Sequence, residues 1–315
     1  MKKKILITAG GTGSAYNLAA TARELFGENI EIHVADINRR EHVASCSVAN
    51  KYYQVPLVAS ADYRNKILNI IETEDIDLII PLIDHELLEF PSDDSALAAL
   101  ECESTAPPKA TVEQFSDKMR LSEWAESNNV RVPATQHLSD LDDLSECFVK
   151  PRMGFGSRGA KKMTVLEARE LENPDELVFQ ELCDGPEVTV EIYSGLHHID
   201  SICRERIEVR SGVCTKARVY KDDELHAIAA SLCKQNDWPV ASCLQFMRGK
   251  NGNWLLTDVN LRIGAGSSMC SAVGWNLAAA SLVSWLEDQR NPSCFLNFDG
   301  VSRYVCRVYK DLIID

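Results

Sequence analysis

The sequence lacks the patterns of a zinc protein, a membrane protein and a secreted protein. Its eleven cysteines include no Cys-x-x-Cys pair, and no histidine completes a zinc spacing. We therefore expect buried or half-buried free thiols in a reducing cytosol. No apolar run approaches the roughly 18 residues of a membrane span. The apolar run after the N-terminal lysines stops at Thr8, too early for a signal peptide. A cytoplasmic protein without a membrane partner is the expectation.

The chain also lacks a positive charge balance, because its 47 acidic residues outnumber its 33 lysines and arginines. The formal net charge is -14 at pH 7, and the pI is about 5.0. An acidic chain repels a phosphate backbone, so nucleic acid is not an expected partner. A pocket for a single nucleotide is compatible with this charge, because it requires only a few local cations.

Two common signatures of phosphate chemistry are missing as well. No Gly-x-x-x-x-Gly-Lys-Ser/Thr loop occurs, which excludes a P-loop. No His-Arg-Asp loop and no Asp-Phe-Gly triplet occur, which disfavours a protein kinase. A nucleotide-dependent function would therefore have to rest on a different set of motifs.

The chain does contain enough apolar residues for two or three domains, with 45% apolar among 315 residues. Up to about residue 105, short apolar strands alternate with helices, which predicts a parallel sheet. A joint is predicted at residues 105–109, where two prolines stand together, followed by a helix over residues 117–128 with Ser116 as its N-cap. After Pro133 short strands dominate, which indicates an antiparallel α+β region.

A first glycine cluster follows the first predicted strand. Gly11-Thr12-Gly13 opens a helix, and Asp36 ends the second strand, as in a dinucleotide-binding domain. Tyr16, however, replaces the third glycine of that fingerprint. A tight strand–helix turn is the favoured interpretation. A nicotinamide site, or a loop edge that binds part of another substrate, stays open.

A second glycine cluster, Lys150-Pro-Arg-Met-Gly-Phe-Gly-Ser-Arg-Gly159, lies between two strand-like runs. Its glycines would let backbone N–H groups approach a triphosphate. Lys150 would place a charge on a phosphate oxygen, and Arg152 and Arg158 would add donors. The alternative is a flexible hairpin with solvated cations.

The segment that follows has groups suited to a nucleoside. Main-chain groups of Glu181 and Leu182 could pair with an adenine edge, and Glu187 could accept hydrogen bonds from ribose hydroxyls. An ordinary hairpin with solvated acids is the alternative.

Polar residues alternate along a later predicted hairpin. Asp258, Asn260 and Arg262 are two residues apart on one strand, so they share a face, and Gln245 lies on the partner strand. Oxygen ligands on one face suit Mg²⁺. Arg262 could neutralise a transferred phosphoryl group. The alternative is a polar outer face of the hairpin.

Cations crowd the strands between these two segments: Arg204, Arg206, Arg210, Lys216 and Arg218. They could bind an acceptor carboxylate and a γ-phosphate, with Arg206 and Lys216 as the preferred pair, or they could form a solvated basic face. Asp84-His85-Glu86 follows the third predicted strand, where open parallel sheets bind ligands. This triplet could recognise an amine, or it could simply begin a helix.

The ordered combination of these motifs resembles the ATP-grasp superfamily, especially the carbamoyl-phosphate-synthetase-like carboxylate–amine ligases. The motifs are Asp117-Lys118, Val149-Lys150-Pro151 with its loop, Gln180-Glu181 before Gly185-Pro186-Glu187, Gln245, and Asp258-Val259-Asn260-Leu261-Arg262. The resemblance covers nearly the whole chain. It implies an α/β plus α+β protein: a Rossmann-like N-terminal domain (residues 1–105), then a two-lobed ATP-grasp domain. The small lobe is predicted over residues 106–185 and the C-terminal lobe, with the metal site, over residues 186–315.

The resemblance also implies roles for single residues. The implied ATP-binding residues are Lys118, Lys150, Arg152, Gly156, Ser157, Gly159, Glu181, Leu182 and Glu187. The implied magnesium ligands are Gln245, Asp258 and Asn260, and Arg262 corresponds to the arginine near the transferred phosphate. Lys216 and Arg206, the preferred pair of the cationic strands, complete the predicted catalytic set.

The implied reaction uses ATP and Mg²⁺ to convert a carboxylate into an acylphosphate, which an amine then attacks. The expected partners are a small-molecule carboxylate, a small-molecule amine and a second copy of the chain in a homodimer. The family's last metal motif usually begins with Glu, so Asp258 is one methylene shorter, and Gln245 is neutral. One firmly bound Mg²⁺ is therefore predicted rather than two. A phosphotransferase on the same fold and a non-catalytic ATP-binding module are the alternatives.

Overall fold

The computed structural model describes residues 2–141, 146–154, 159–210 and 212–314. These residues form a five-stranded sheet, a four-stranded sheet and a six-stranded sheet. In this described part of the chain, no helix is long and apolar enough to cross a membrane. All eleven cysteines are free thiols, but Cys294 and Cys306 are exposed, so the expectation of burial was wrong for these two.

The N-terminal sheet is parallel, with strand order β3-β2-β1-β4-β5. Its elements are β1 (Lys3–Ile7), α1 (Gly13–Phe26), β2 (Ile30–Asp36), β3 (Lys51–Gln54), α2 (Tyr63–Glu74), β4 (Leu78–Ile80), α3 (Asp84–Glu89), α4 (Ser95–Ala99) and β5 (Glu103–Ser104). The predicted parallel α/β domain is confirmed. Because the chain leaves β1 to one side and returns to β4 on the other, the strand order reverses there. Ligands bind at such points in open α/β sheets, and α3 begins there.

Two helices, α5 (Lys109–Ser116) and α6 (Lys118–Ser127), follow the predicted joint. The N-cap of α6 is Asp117, which accepts hydrogen bonds from the backbone N–H groups of Met119 (2.9 Å) and Arg120 (3.4 Å). The prediction of Ser116 as N-cap was wrong, because Ser116 is the last residue of α5. Both helices pack on the six-stranded sheet, where Phe115 joins a core with Phe246.

The four-stranded antiparallel sheet has the order β6-β9-β7-β8. Its elements are β6 (Thr135–Gln136), β7 (Glu146–Pro151), β8 (Lys161–Thr164), α7 (Val165–Ala168) and β9 (Leu177–Gln180). Strands β7 and β8 pair from Glu146↔Thr164 to Val149↔Lys161, so the two strand-like runs that flank the second glycine cluster form a hairpin, as predicted. A small core of its own, which includes Val149 and Phe179, supports this sheet.

The six-stranded antiparallel sheet has the order β14-β13-β10-β11-β12-β15. Its elements and helices are β10 (Val188–Ser194), β11 (Ile199–Arg210), β12 (Val213–Tyr220), α8 (Asp223–Gln235), β13 (Ala241–Arg248), β14 (Trp254–Asn260), α9 (Ser268–Ser271), α10 (Leu277–Trp285) and β15 (Arg303–Cys306). The predicted α+β region with antiparallel hairpins is confirmed.

The two faces of this sheet differ in a way that positions the site. Val188 and Val190 of β10 face the core that contains α8. On the other face, Tyr193 joins a core shared with α1 and α10, which binds the N-terminal domain to the sheet. Thr189 and Glu191 precede Tyr193 on that second face at period two, so a polar area lies beside the shared core.

Candidate active site

A cleft lies between the four-stranded and six-stranded sheets, which we call the inter-sheet cleft. It encloses about 220 Å³. Strands β7 and β9 supply one wall and β13 and β14 the other, and the N-terminus of α6 closes one end. Its lining includes Lys118, Phe148, Lys150, Gln180, Glu181, Leu182, Cys183, Glu187, Gln245, Met247, Thr257 and Asp258.

Lys150 is a buried cation of the cleft wall, with 9% of its surface exposed. Its Nζ donates a 2.7 Å hydrogen bond to the carbonyl oxygen of Thr257. Within the described ranges, no carboxylate lies at ion-pair distance from it. Burial lowers the pKa of Lys150 to about 8, although the more distant Asp258 opposes the shift. The cleft therefore holds an ammonium group whose charge is not neutralised.

The carbonyl group that receives Lys150 is made available by a β-bulge. Gln245 pairs with Asp258 and the next residue, Phe246, pairs with Leu256, so Thr257 is left between them without a partner across the strands. Bulges of this kind occur next to active sites because they redirect groups out of the ladder. Here the bulge directs a carbonyl oxygen towards the cleft.

Lys118 adds a second ammonium group. Its Nζ lies 3.8 Å from Asp258 Oδ1 and 3.4 Å from the carbonyl oxygen of Gly154. Lys118 is the first residue of α6, and the Asp117 cap fixes this helix end. Two cations and one carboxylate therefore meet beside the glycine loop, which is a suitable environment for a polyphosphate.

The predicted adenine segment follows β9 along the cleft. The N–H of Glu181 donates to the carbonyl of Ala134 (3.0 Å), and Glu181 Oε1 accepts from the N–H of Ala134 (3.0 Å). Among the described residues, the carbonyl of Glu181 and the N–H of Leu182 have no hydrogen-bond partner. An adjacent acceptor and donor in an apolar cleft match the edge of an adenine base.

The structure does not bring every predicted ATP-binding residue into the cleft. The Arg152 guanidinium pairs with Asp117 through contacts of 2.8 Å and does not line the cleft. Gly159 has φ +75° at the end of the loop, a conformation that favours glycine. Gly156 and Ser157, with Arg158, lie outside the described residues.

A second pocket of about 120 Å³ adjoins the cleft and shares Gln245 and Asp258 with it. We call it the arginine pocket. Its lining includes Thr189, Arg204, Arg206, Gln245, Asp258, Asn260, Arg262, Gly264, Ala265 and Gly266. The predicted common face of Asp258, Asn260 and Arg262 is thus confirmed.

Each arginine of this pocket is paired with an acid. Arg206 pairs with Glu187 and donates to the carbonyl of Gly212 (3.1 Å). Arg204, buried on β11, donates from Nη2 to Glu191 Oε1 (3.0 Å).

Arg262 is also paired: it lies 2.9 Å from Asp84 and donates to Asn260 Oδ1 (3.1 Å). Because the pairing neutralises these guanidinium groups and holds them in place, they are positioned before any ligand binds.

Lys216 does not line the arginine pocket. Its Nζ pairs with Glu208 at 2.9 Å, and its side chain is 52% exposed. The register of β11 and β12 shifts on both sides of Glu208. Lys216 pairs with Glu208 across this shift. The face of its side chain therefore cannot be predicted from the alternation of Arg204 and Arg206 on β11.

The donor set for a metal is small but fits one Mg²⁺. Asp258 supplies a carboxylate, and Gln245 and Asn260 supply amide oxygens on the same face. In the described ranges, no group of three or more His, Cys, Asp or Glu side chains could hold a metal ion. Mg²⁺ commonly uses one or two carboxylates and completes its shell with water and substrate phosphates. The set therefore suits an ion that arrives with a polyphosphate.

The first glycine cluster is a structural turn. The carboxylate of Asp36 accepts hydrogen bonds from the N–H of Gly11 (2.7 Å) and from Asn38 (2.8 and 2.9 Å). A Cβ at Gly10 would lie 2.2 Å from a methyl group of Val34, so this glycine is required for the close approach. Asp36 is already engaged and not available to ribose hydroxyls, which favours the turn over the nicotinamide site.

The acidic triplet after β4 has two different functions in the fold. Glu86 is buried and accepts from the hydroxyl groups of Thr8 (2.6 Å) and Tyr63 (2.5 Å). Burial raises its pKa against these hydrogen bonds. Asp84 instead reaches Arg262. Glu86 thus stabilises the helix start, and only Asp84 and His85 face pockets.

Thr189 and Glu191 were missed by sequence reasoning. Both lie on β10, whose sequence is Val-Thr-Val-Glu-Ile-Tyr-Ser. Two polar residues at alternate positions of an otherwise apolar buried strand were a signal for a polar face inside the protein.

Comparison with known families supports the two-part architecture. A sequence model of the PylC-like N-terminal domain matches residues 5–109, and a model of the ATP-grasp domain matches residues 115–266. No functionally curated protein matches the chain.

Solved structures with the same fold include three that cover most of this chain. The biotin carboxylase domain of 2-oxoglutarate carboxylase from Hydrogenobacter thermophilus, solved with MgADP, ADP and bicarbonate, is 15% identical with a TM-score of 0.76, over 97% of this chain and 74% of that one. L-amino acid ligase from Bacillus licheniformis is 16% identical with a TM-score of 0.70, over 93% of this chain and 76% of that one.

Pyruvate carboxylase from Rhizobium etli is 17% identical with a TM-score of 0.73. The match covers 93% of this chain but only 29% of that larger one. At these identities the likeness establishes a shared fold.

Proposed function

This chain belongs to the ATP-grasp superfamily, whose domain model matches residues 115–266, and from that premise we propose that it is an ATP-dependent ligase that joins a carboxylate to an amine. The observation that carries the proposal is Lys150, a buried ammonium group without a carboxylate partner among the described residues. An uncompensated charge in a cleft is costly unless an anion neutralises it. A triphosphate is such an anion. The arginine pocket adjoins the cleft that would hold it.

In this proposal ATP lies in the inter-sheet cleft. Lys150 and Lys118 contact its phosphates. The free carbonyl of Glu181 and the free N–H of Leu182 pair with adenine. Glu187 accepts from the ribose hydroxyls.

The acceptor carboxylate lies in the arginine pocket. One of its oxygens attacks the γ-phosphorus, the bond from that phosphorus to the β–γ bridging oxygen breaks, and ADP leaves with the electron pair. Arg262 and Arg206 stabilise the charge of the transferred group. When bound by Asp258, Gln245 and Asn260, Mg²⁺ would withdraw charge from the phosphate oxygens. An amine then attacks the acyl carbon, and phosphate leaves.

We propose three functional parts: residues 1–105, 106–185 and 186–315. The packing supports one refinement. Helices α5 and α6 share their core with the six-stranded sheet rather than with the four-stranded one. The part that could move as a lid over ATP is therefore the four-stranded sheet, which begins at β6.

The test is an ADP-release assay with ATP, Mg²⁺ and pools of small carboxylic acids and amino acids, with hydroxylamine as the amine. We expect one pool to give ADP together with a hydroxamate. Lys150→Met should abolish both products, whereas Lys162→Met, on an exposed position of the same hairpin, should change neither.

Two other results of this assay would contradict the proposal of a ligase. ADP with a stable phosphate ester and no hydroxamate indicates a phosphotransferase. Nucleotide binding without ADP from any pool indicates a non-catalytic module.

We also propose a cytosolic homodimer. One neighbour of the same fold was solved as a domain dimer. Light scattering after gel filtration should give about twice the chain mass of 35.1 kDa. A single chain mass at micromolar concentration would contradict the dimer.

A further inference from the structure

The segment that ends the six-stranded sheet lies on the same face as the arginine pocket. Val305 of β15 pairs with Ala217 of β12, and Ala217 pairs with Arg206 of β11. Directly paired residues share a face of a sheet. Arg307 follows Val305 by two positions, and its N–H donates to the carbonyl of Thr215 at 2.8 Å, so the pairing with β12 continues. The Arg307 side chain therefore lies on the pocket face as well.

The guanidinium of Arg307 binds the turn over residues 264–266, which we call the covering turn. Its Nη2 donates to the carbonyl oxygen of Ala265 at 2.6 Å and to the hydroxyl of Ser268 at 3.0 Å. All three residues of the covering turn line the arginine pocket. Ser268 is the first residue of α9. One nitrogen of Arg307 thus fastens both the covering turn and the helix after it to the end of the sheet.

An apolar contact supports the same connection. Val305 packs against a small core that contains Met269 of α9 together with Cys214 and Ala217 of β12. The contact and the two hydrogen bonds act on adjacent residues, although Arg307 and Ala265 are 42 positions apart. The end of the sheet therefore fixes the covering turn over a long sequence separation.

The covering turn lies directly on an arginine of the pocket. A Cβ at Gly266 would lie 2.1 Å from the guanidinium carbon of Arg204, so the turn approaches this group with its bare backbone. Arg204 is 4% exposed and lines the arginine pocket. A movement of the turn would therefore change the position of this guanidinium and the shape of the pocket together.

Arg307 differs in charge balance from the arginines that line the pocket. Arg204, Arg206 and Arg262 each pair with an acid. Within the described ranges, no carboxylate lies at ion-pair distance from Arg307. Burial lowers the pKa of Arg307, and the like charge of Arg204 lowers it further. The two guanidinium groups are thus close enough to repel, and an anion in the pocket would reduce that repulsion.

We infer that Arg307 is a positioning residue for the arginine pocket: it holds the covering turn against Arg204 and thereby shapes the place where the acceptor carboxylate binds. This inference rests on the proposed ligase function. It adds a residue that lies outside residues 115–266, the range matched by the ATP-grasp model. Arg307 does not line the pocket, so it acts through the turn and its positive charge rather than by contact with the substrate.

The first test measures hydrogen–deuterium exchange of the ligand-free protein and needs no substrate. In the covering turn and α9, the N–H groups of Ser267, Met269 and Cys270 are hydrogen-bonded within the segment. Arg307→Met removes both side-chain bonds that hold this segment. We expect its amides to exchange about 10-fold faster or more, while those of β13 stay unchanged.

The second test measures kinetics with the acid that gives a hydroxamate in the pool assay. Arg307→Met should raise the KM for that acid by roughly 10- to 100-fold. The KM for ATP should not change, because Arg307 does not line the inter-sheet cleft. A residue that only stabilised the fold would lower kcat through loss of folded enzyme and leave both KM values unchanged. A rise in one KM therefore distinguishes positioning from stability.

Two further variants complete the comparison. Arg307→Lys retains the positive charge and a donor, so its KM for the acid should stay within about threefold of the unmodified protein. Arg303→Met is the matched control, because Arg303 lies on the same face of β15 but pairs with Asp299, at 2.6 Å. It should change neither the exchange of the covering turn nor either KM.

The outcomes separate this inference from the ligase proposal. Hydroxamate formation with an unchanged KM for the acid in Arg307→Met would overturn the inference and leave the ligase standing. Faster exchange in Arg307→Met but not in Arg303→Met, without hydroxamate from any pool, would support the positioning of the turn and reject the ligase. Equal exchange in all variants would overturn the inference whether or not the protein is a ligase.

Discussion

Arg262 and Asp84 form an ion pair, with Nε and Oδ1 2.9 Å apart, that connects the residues after β14 with the start of α3. Arg262 faces the arginine pocket, whereas Asp84 belongs to the N-terminal parallel sheet. The N-terminal domain therefore holds a side chain that we place at the transferred phosphate. The N-terminal domain thus contributes to the site through Asp84, in addition to packing against the six-stranded sheet.

Asp84→Asn should lower kcat for ADP formation by about 100-fold, because a small displacement of a charge-stabilising group is enough for a loss of that size. The KM for ATP should change little, since Asp84 does not line the inter-sheet cleft. Initial rates over a range of ATP concentrations give both constants.

Asp94→Asn is the matched control. Asp94 pairs with Arg64 at 2.6 Å within the N-terminal domain, and asparagine preserves its capping of α4. Equal losses of kcat in the two variants would show that Asp84 has only a structural function.

Asp258→Asn should raise the half-saturating Mg²⁺ concentration for ADP formation by about 10-fold or more. Asp258 is the single carboxylate in the predicted metal set with Gln245 and Asn260, so its loss leaves only neutral ligands. Asp258→Glu retains the charge and should stay close to the unmodified protein. A Mg²⁺ titration at saturating ATP measures the effect, and an unchanged titration in Asp258→Asn would exclude Asp258 as a ligand.

Nucleotide affinity should fall as pH rises through about 8, because burial lowers the pKa of Lys150 to that value. A lysine with a lowered pKa is charged below that pH and loses its charge above it. The loss involves one proton, so the affinity should fall at most about tenfold per pH unit. Binding of an ATP analogue at pH 7, 8 and 9 measures it. In Lys150→Arg the guanidinium stays charged, so an equally steep profile there would contradict this assignment.

The lowered pKa of Lys150 also predicts an effect on the stability of the fold. The folded pKa of Lys150 lies below the unfolded value, so the folded state binds this proton less tightly. Burial of the charged ammonium therefore destabilises the folded state. This destabilisation is fully present below about pH 8 and disappears as pH rises towards roughly 10.4. Lys150→Met should therefore stabilise the nucleotide-free protein at pH 7 by about 1–2 kcal/mol, even though the bond to Thr257 is lost.

Urea unfolding without nucleotide at pH 7 and pH 10 tests this effect. The gain should shrink at the higher pH. Lys162→Met, at an exposed position, should change stability by less than about 0.5 kcal/mol at either pH. A gain of equal size at both pH values would show that charge burial is not its cause.

The parts of the structure that sequence alone could predict are those with local causes. Short apolar runs predicted the strands of the N-terminal sheet, and the later hairpin, with Gln245 and Asp258 on partner strands, was predicted as well. Period-two spacing was enough to place Asp258, Asn260 and Arg262 on one face. These features depend on neighbours a few residues apart, which a sequence shows directly.

The parts that could not be predicted depend on distant contacts or on a choice between neighbours. Asp84 and Arg262 are 178 positions apart, and no local pattern connects them. Ser116 and Asp117 can both cap a helix, and only the end of α5 at Ser116 decides between them. Lys216 lies beyond a register shift that no composition signal revealed.

Gly266→Ala should damage the arginine pocket while leaving the inter-sheet cleft intact. A Cβ at position 266 would lie 2.1 Å from Arg204 Cζ, so the guanidinium has to shift away from Glu191. Such crowding in a packed site costs about 1–3 kcal/mol, which corresponds to roughly a 5- to 150-fold higher KM for the carboxylate substrate if the cost falls on binding. ATP affinity should stay unchanged, because Gly266 lies outside that cleft.

Gly13→Ala is the control for this substitution, since a Cβ there meets no atom within 4 Å. It should leave both constants unchanged. Calorimetric titration with an ATP analogue and steady-state kinetics with the carboxylate separate the two sites. If Gly266→Ala weakened ATP binding as much as carboxylate binding, the division of this region into a nucleotide cleft and an acceptor pocket would have to be abandoned.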